Sequence, residues 1–158
     1  MLDIQIEEMI EKYKSTVYSV ALTHTRTRFD ADDVFQDVFL AYHKKRPCFK
    51  DEEHAKAWFI KATVNICKKT YNQSLWKKAL PIDEVKEEQF SFSDPRENEL
   101  FDHIRKIPPK LRTVMYLYYF EEMSTKKIAK LLHRREGTVR MQLTRARGKL
   151  REIIGGRK

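Results

Sequence analysis

Apolar residues recur along the chain at the 3.6-residue spacing of amphipathic helices, in blocks separated by polar punctuation. Ile6, Met9, Ile10, Tyr13, Val17 and Val20 share one face and predict a first helix. "RTRFD" interrupts it. Asp30 is placed to cap a second helix, with Asp32 and Asp33 in the first turn, where negative charge is favourable. Phe35, Val38, Phe39 and Tyr42 form its apolar face. "KKRPCFKDEE", with Pro47, reads as a loop. A third helix follows over about residues 53–72, with Ala55, Phe59, Ala62 and Ile66 facing inward. The periodicity then lapses. Residues 77–97 are polar, largely acidic and contain two prolines, the signature of a flexible linker.

The pattern resumes near Asn98. "ELFDHIRKI" predicts a short helix, and "PPK" restarts the chain with a proline suited to a first helical position. "LRTVMYLYYFEE" places Leu111, Val114, Met115 and Tyr118 on one side. Ser124 is positioned to cap "TKKIAKLL". The basic break "HRREG" comes next, then a last helix over about residues 136–154 with Val139, Leu143, Ala146 and Leu150 inward. There is no strand-like alternation, internal repeat or glycine-rich phosphate loop. The fold class is therefore all-α: two small helical domains, residues 1–76 and 98–158, joined by a linker over 77–97.

Two short helices around a tight basic turn make a helix-turn-helix, whose second helix lies in the major groove of DNA with its N-terminal residues at the base edges. With Val139, Leu143, Ala146 and Leu150 inward, the outward arc holds Thr138, Arg140, Met141, Thr144 and Arg145. Arg134 and Arg135 stand just before it. The planar fork of arginine pairs bidentately with guanine. Arg147 and Lys149 lie where phosphate contacts are expected. An ordinary helical hairpin with a solvated basic face is the competing reading.

Charge sharpens the picture. The 158 residues carry a formal net charge of +9, unevenly distributed. Residues 1–43 sum to −4, 44–80 to +7, 81–99 to −5 and 100–158 to +11. Two basic blocks separated by an acidic one suggest two contacts with a polyanion. No apolar run reaches the ~18 residues of a membrane span. The acidic, amphipathic N-terminus resembles neither a secretory signal nor a transit peptide. Two cysteines, Cys48 and Cys67, are too few for a disulfide framework, so a reducing cytoplasm is the expected setting.

The basic block on the third helix has a second reading. Trp58, Lys61, Asn65, Lys68 and Asn72 fall on one stripe beside the core face. An aromatic to stack on bases, lysines to follow the backbone and amides to read exposed edges suit single-stranded DNA. A half-buried core tryptophan is the plainer alternative. On the second helix Asp33, Gln36, Asp37 and Leu40 point away from the core. They read either as a protein-binding patch or as a solvated helix face with one stray leucine. His43, Cys48, His54 and Cys67 match no short zinc spacing, and no cofactor is expected.

"DADDVFQDVFLAYHKK", then "AWFIKATVNICKK", then "IPPKLRTVMYLYYFEEMSTKKIAKLLHRREGTVRMQLTRARGKLRE" resemble bacterial RNA polymerase sigma factors of the extracytoplasmic-function group. The likeness covers nearly the whole chain, in the order second region, linker, fourth region. It implies a non-enzymatic protein that binds core RNA polymerase and directs promoter recognition, melting and initiation. Asp33, Gln36, Asp37 and Leu40 would meet the clamp helices of the largest polymerase subunit. Phe49 and Asn65 would hold a base flipped from the non-template strand of the minus-ten element, supported by Trp58, Lys61 and Lys68. The helix-turn-helix, with Arg134, Arg135, Thr138, Arg140, Met141, Thr144 and Arg145, would read the minus-thirty-five element as duplex. Core polymerase and promoter DNA are the partners the resemblance implies, and many relatives also bind an anti-sigma factor.

The chain departs from the family pattern at three places. His133 stands where the turn often has glycine, Lys127 where glutamate would complete a capping box, and Arg135 where serine usually precedes the last helix. A free-standing dimeric helix-turn-helix regulator is the rival reading, and it leaves the first domain's acidic patch and Trp58–Asn65 stripe without a role.

Overall fold

The computed structural model describes residues 2–25, 27–78 and 99–155. They form seven helices: α1 (Leu2–His24), α2 (Arg28–Lys45), α3 (Glu52–Lys78), α4 (Glu99–Ile104), α5 (Pro109–Tyr119), α6 (Thr125–Leu132) and α7 (Glu136–Gly155). No strand occurs among the described residues. The linker expected over 77–97 lies, from residue 79 on, outside the described residues. Its first two positions continue α3, which runs past the expected end near residue 72 to Lys78.

The first three helices pack pairwise around an aromatic hub. Phe59 is fully buried. Its ring lies 4.8 Å from Tyr13, 5.3 Å from Phe39, 5.5 Å from Tyr42 and 5.1 Å from Trp58. One side chain thus ties α1, α2 and α3 together, and such offset and edge-on pairs add to the burial of apolar area. The predicted apolar faces are the observed ones. Val17, Val20, Val38, Phe39, Tyr42 and Ala55 are buried, with Ile6, Met9, Ile10, Phe35, Ala62 and Ile66 packed at the margin.

The start of α2 differs from expectation. Thr27, not Asp30, is the N-cap: its hydroxyl accepts the Asp30 backbone N–H at 3.1 Å. Asp30 then sits within the first turn, where its charge faces the helix N-terminus.

In the second half, Pro109 occupies the first turn of α5, and Ser124 caps α6 by accepting the Lys127 N–H at 3.1 Å. The helix-turn-helix break is a Schellman turn. The Arg134 N–H reaches the Ala129 carbonyl at 2.9 Å, and that of His133 reaches Lys130 at 3.4 Å. His133 holds the left-handed conformation (φ 57°, ψ 49°) that glycine adopts without strain. Val139, Leu143 and Ala146 are buried against α5 and α6.

The two halves also pack on each other. Their buried apolar residues form one continuous cluster, with α5 lying against α1 and both α5 and α6 touching α3. Arg105, buried in the turn after α4, donates from Nε to the Leu22 carbonyl at 3.0 Å and from Nη2 to that of Thr25 at 3.4 Å. It therefore caps carbonyls left open at the C-terminus of α1.

Candidate nucleic-acid interface

The loop between α2 and α3 is built by local hydrogen bonds. Arg46, left-handed at φ 44°, ends α2 by donating its N–H to Tyr42 at 2.8 Å. Asp51 Oδ1 accepts the His54 N–H at 2.8 Å and so starts α3. The His54 ring turns back, and its Nδ1 accepts the Lys50 N–H at 3.1 Å. These bonds hold Phe49 over the aromatic hub. Its ring lies 6.1 Å from Trp58, 6.3 Å from Tyr42 and 5.4 Å, edge-on, from His54.

Trp58 is half-buried, at right angles to both Tyr42 and Phe59. One edge of the indole is thus core, and the rest borders the open helix face. Lys61, Asn65 and Lys68 follow on that face at helical spacing, all exposed. The structure brings Phe49 and Trp58 together, and Lys61 and Asn65 follow one and two turns further along α3. The side chain of Asn72 lies outside the described ones.

Lys68 stands at the other end of the stripe, near the second half. Partial burial, then the charges of Arg134 and Lys110, push its pKa down.

On α2, Asp33, Gln36, Asp37 and Leu40 are exposed on one stripe, with Leu40 at 61% exposure. Phe29, 80% exposed one turn before Asp33, continues the same stripe and carries no sequence signal beyond its spacing.

Arg135, just before α7, and Arg140, Met141, Thr144 and Arg145 on it are exposed, and Thr138 is half-buried. Arg140 pairs with Glu136 one turn earlier at 2.9 Å, and Glu136 also accepts the Thr125 hydroxyl at 2.8 Å. Two arginines are engaged differently from expectation. Arg134 folds into the turn, where Nη1 donates to Gln142 Oε1 at 2.8 Å and burial lowers its pKa. Arg147 donates to the Tyr119 hydroxyl at 2.8 Å and lies over the Tyr118 and Tyr119 rings. It braces α7 on α5 rather than standing free.

Of the four side chains considered as metal ligands, His54 is occupied by the loop and Cys67 is buried in the core, where desolvation raises its thiol pKa strongly. No group of three such ligands gathers among the described residues, and no described helix is long and apolar enough to cross a membrane.

Comparisons with known proteins agree with this anatomy. The family model for Sigma-70 region 2 matches residues 9–76, and that for Sigma-70, region 4 matches residues 98–150. The chain is 26% identical over 162 residues to the RNA polymerase sigma-E factor of Streptomyces avermitilis, covering 98% of this chain and 87% of that protein. It is 24% identical over 169 residues to the ECF RNA polymerase sigma factor SigW of Bacillus subtilis, covering 93% and 87%. In fold it is similar to the sigma factor RpoE from Bartonella quintana, solved in complex with the anti-sigma factor NepR. The TM-score is 0.72 at 15% identity, covering 96% of this chain and 97% of that one. Matched in both halves and in order, the chain belongs to the sigma-70 family of bacterial RNA polymerase sigma factors, in its extracytoplasmic-function group.

Proposed function

We propose that this sigma factor divides its work among three surfaces. The α2 stripe of Asp33, Gln36, Asp37 and Leu40 docks on the clamp of core RNA polymerase. The α2–α3 corner captures the non-template strand of the minus-ten element. Phe49 and Asn65 hold a flipped base, Trp58 stacks beside it, and Lys61 and Lys68 follow the phosphates. The exposed face of α7 reads the minus-thirty-five element in the major groove through Arg135, Thr138, Arg140, Met141, Thr144 and Arg145, with Arg134 setting the turn. The chain supplies binding and no catalysis of its own, and it works in the cytoplasm, where polymerase and promoter meet.

One observation carries the reading: Phe49, in the loop fixed by the Asp51 and His54 hydrogen bonds, lies against half-buried Trp58, and exposed Asn65 follows two turns along the same helix. An aromatic slot beside an amide on an open basic face is what an unstacked base needs. A dimeric helix-turn-helix regulator would have no use for that corner.

Run-off transcription with purified core polymerase on genomic fragments is the test. The chain should direct discrete transcripts, and Asn65→Ala or Trp58→Ala should reduce them without loss of helical content. Transcripts unaffected by either substitution would remove the corner from the account.

A further inference from the structure

The first turn of α3 is held by a reciprocal pair of hydrogen bonds. Asp51 is the cap: its Oδ1 accepts the His54 N–H at 2.8 Å and its carbonyl accepts that of Ala55 at 3.1 Å. His54, three residues on, returns a bond, its Nδ1 accepting the Lys50 N–H at 3.1 Å. In a capping box the residue three after the cap is ordinarily glutamate or glutamine, and its side chain reaches back to the cap's own amide. Here the residue is histidine, and it reaches one position further back, to the amide that follows Phe49.

That bond fixes the peptide joining Phe49 to Lys50, and the His54 ring meets the Phe49 ring edge-on at 5.4 Å. The other end of the loop is tied separately, by the Arg46 N–H on the Tyr42 carbonyl. Pro47, between the two ties, has no N–H to contribute a third. The half-buried Phe49 ring is therefore held against Trp58 from the His54 side.

The acceptor is the lone pair of a neutral imidazole whose ring proton sits on Nε2. Histidine changes charge between about pH 5 and 8, which glutamine does not. Protonation places a hydrogen on Nδ1, so two donors face each other and the tie is lost. The charged groups of this corner are Lys50 and Asp51 in the loop and Glu52 and Glu53 in the first turn. From other helices, Lys12 of α1 pairs with Glu52 and Lys127 of α6 with Glu53. On the α2 side His43 and Arg46 bond each other at 3.3 Å, and Tyr42 faces Phe49 without charge. A glutamate at 54 would add a fourth carboxylate beside the path of a polyanion, whereas neutral imidazole supplies the acceptor without that repulsion.

We propose that His54 is a positioning residue for promoter melting: as neutral imidazole it holds the loop that presents Phe49 against Trp58, and its protonation releases that loop, so capture of the minus-ten strand weakens in acid. The proposal rests on the assignment of Phe49 to base capture, and one arm of its test uses no DNA.

In the isolated chain, nitrogen-15 shifts of the His54 ring should show a bare Nδ1 and a protonated Nε2 at pH 7.5, and the Lys50 amide resonance should move as His54 titrates. A neutral ring protonated on Nδ1 overturns the geometry. Function is read in holoenzyme, by binding of a fluorescent single-stranded oligonucleotide with the non-template sequence upstream of a start site mapped by run-off transcription. At pH 7.5 His54→Ala should weaken binding about two- to tenfold, the net worth of one hydrogen bond. His54→Gln, whose amide oxygen accepts without titrating, should restore it. Between pH 7.5 and 5.5 the wild type should lose about two- to tenfold more than His54→Gln, since titration elsewhere in the holoenzyme appears in both. Equal binding by wild type and His54→Ala, with Phe49→Ala weakened, overturns the positioning role. Equal pH profiles in wild type and His54→Gln overturn the tie. Tighter wild-type binding in acid marks His54 as a phosphate contact and overturns it too. If Phe49→Ala is itself without effect, the assignment of the corner fails and this proposal falls with it.

Discussion

Acid should loosen the contact between the halves, through His24. The imidazole is fully buried at the interface, and desolvation first, then the nearby cations Arg112, Lys68 and Arg134, hold its pKa well below the ordinary 6.5. The facing groups on α3, α5 and the turn before α7 are therefore cationic throughout the range of interest, and Thr113 accepts or donates without charge. With the halves apart, His24 is hydrated and titrates near 6.5. The open form then binds a proton that the closed form excludes, so closure is fully favoured above about pH 6.5 and weakens as pH falls below it. The slope is ~1.4 kcal/mol per pH unit, so at pH 5.5 the closed form loses roughly 1.4 kcal/mol, about a tenfold change in the closed–open ratio. Energy transfer between dyes on exposed Cys48 and on a second cysteine at Lys149→Cys, measured from pH 7.5 to 5.5, should fall along that curve in the wild type. It should be flat in His24→Gln, and the step should persist in Lys56→Ala, which removes the Lys56–Glu121 ion pair between the halves. A flat wild-type profile, or an equal step in His24→Gln, refutes the reasoning.

Other perturbations separate the surfaces from one another. Asp37→Arg should abolish binding to core polymerase with the far-ultraviolet spectrum unchanged, and retention of full affinity would move the docking surface off α2. Arg140→Ala should weaken upstream binding by ~1–3 kcal/mol and relax preference at one base pair, as measured on a panel of singly substituted promoters; an equal loss on every sequence would mark it as a phosphate contact. Phe59→Ala removes the hub of the first half and should lower stability by about 3–5 kcal/mol in urea titration, which would unfold that half at physiological temperature. His133→Gly relieves the left-handed strain at the turn and should raise stability by roughly 0.5–1 kcal/mol, read as a higher melting temperature.

The helices were legible because their apolar faces are strongly periodic, and a face of Val, Ile, Phe and Tyr has few alternatives to burial. Helix ends were less so. Thr27 and Asp30 both suit an N-cap, and only the backbone decides that the Thr27 hydroxyl meets an amide three residues on. The third helix runs on through "QSLWKK", since neither proline nor glycine stops it before Pro81. Exposure was readable where it follows from helical spacing: Asp33, Gln36, Asp37 and Leu40 on α2, and Lys61, Asn65 and Lys68 on α3, lie on open helix faces. It was not readable where a charged residue spends its polarity inside the fold. Arg134 looks like a free cation yet bonds Gln142, eight residues away. Arg105, Arg112 and Glu121 look like surface residues yet are buried, because their partners are brought to them only by the fold: the Leu22 carbonyl of α1, the Arg105 carbonyl in the turn after α4, and Lys56 of α3. The docking of the halves depends on links such as His24–Thr113, separated by 89 positions, for which polar residue types give no local sign.

Permanganate footprinting of a cognate promoter tests the central claim most directly, because it reports melting and its location together. Opening each base step forfeits stacking of ~1.4 kcal/mol on average, about what capture of one base on an aromatic face returns, so the chain alone has no surplus with which to melt DNA. Reactive thymines should therefore appear in the minus-ten element only when both the chain and core polymerase are present. Asn65→Ala should diminish that reactivity while leaving protection of the minus-thirty-five element intact. Protection of a palindrome by the chain alone, with no reactive thymines whether or not polymerase is added, would contradict the account.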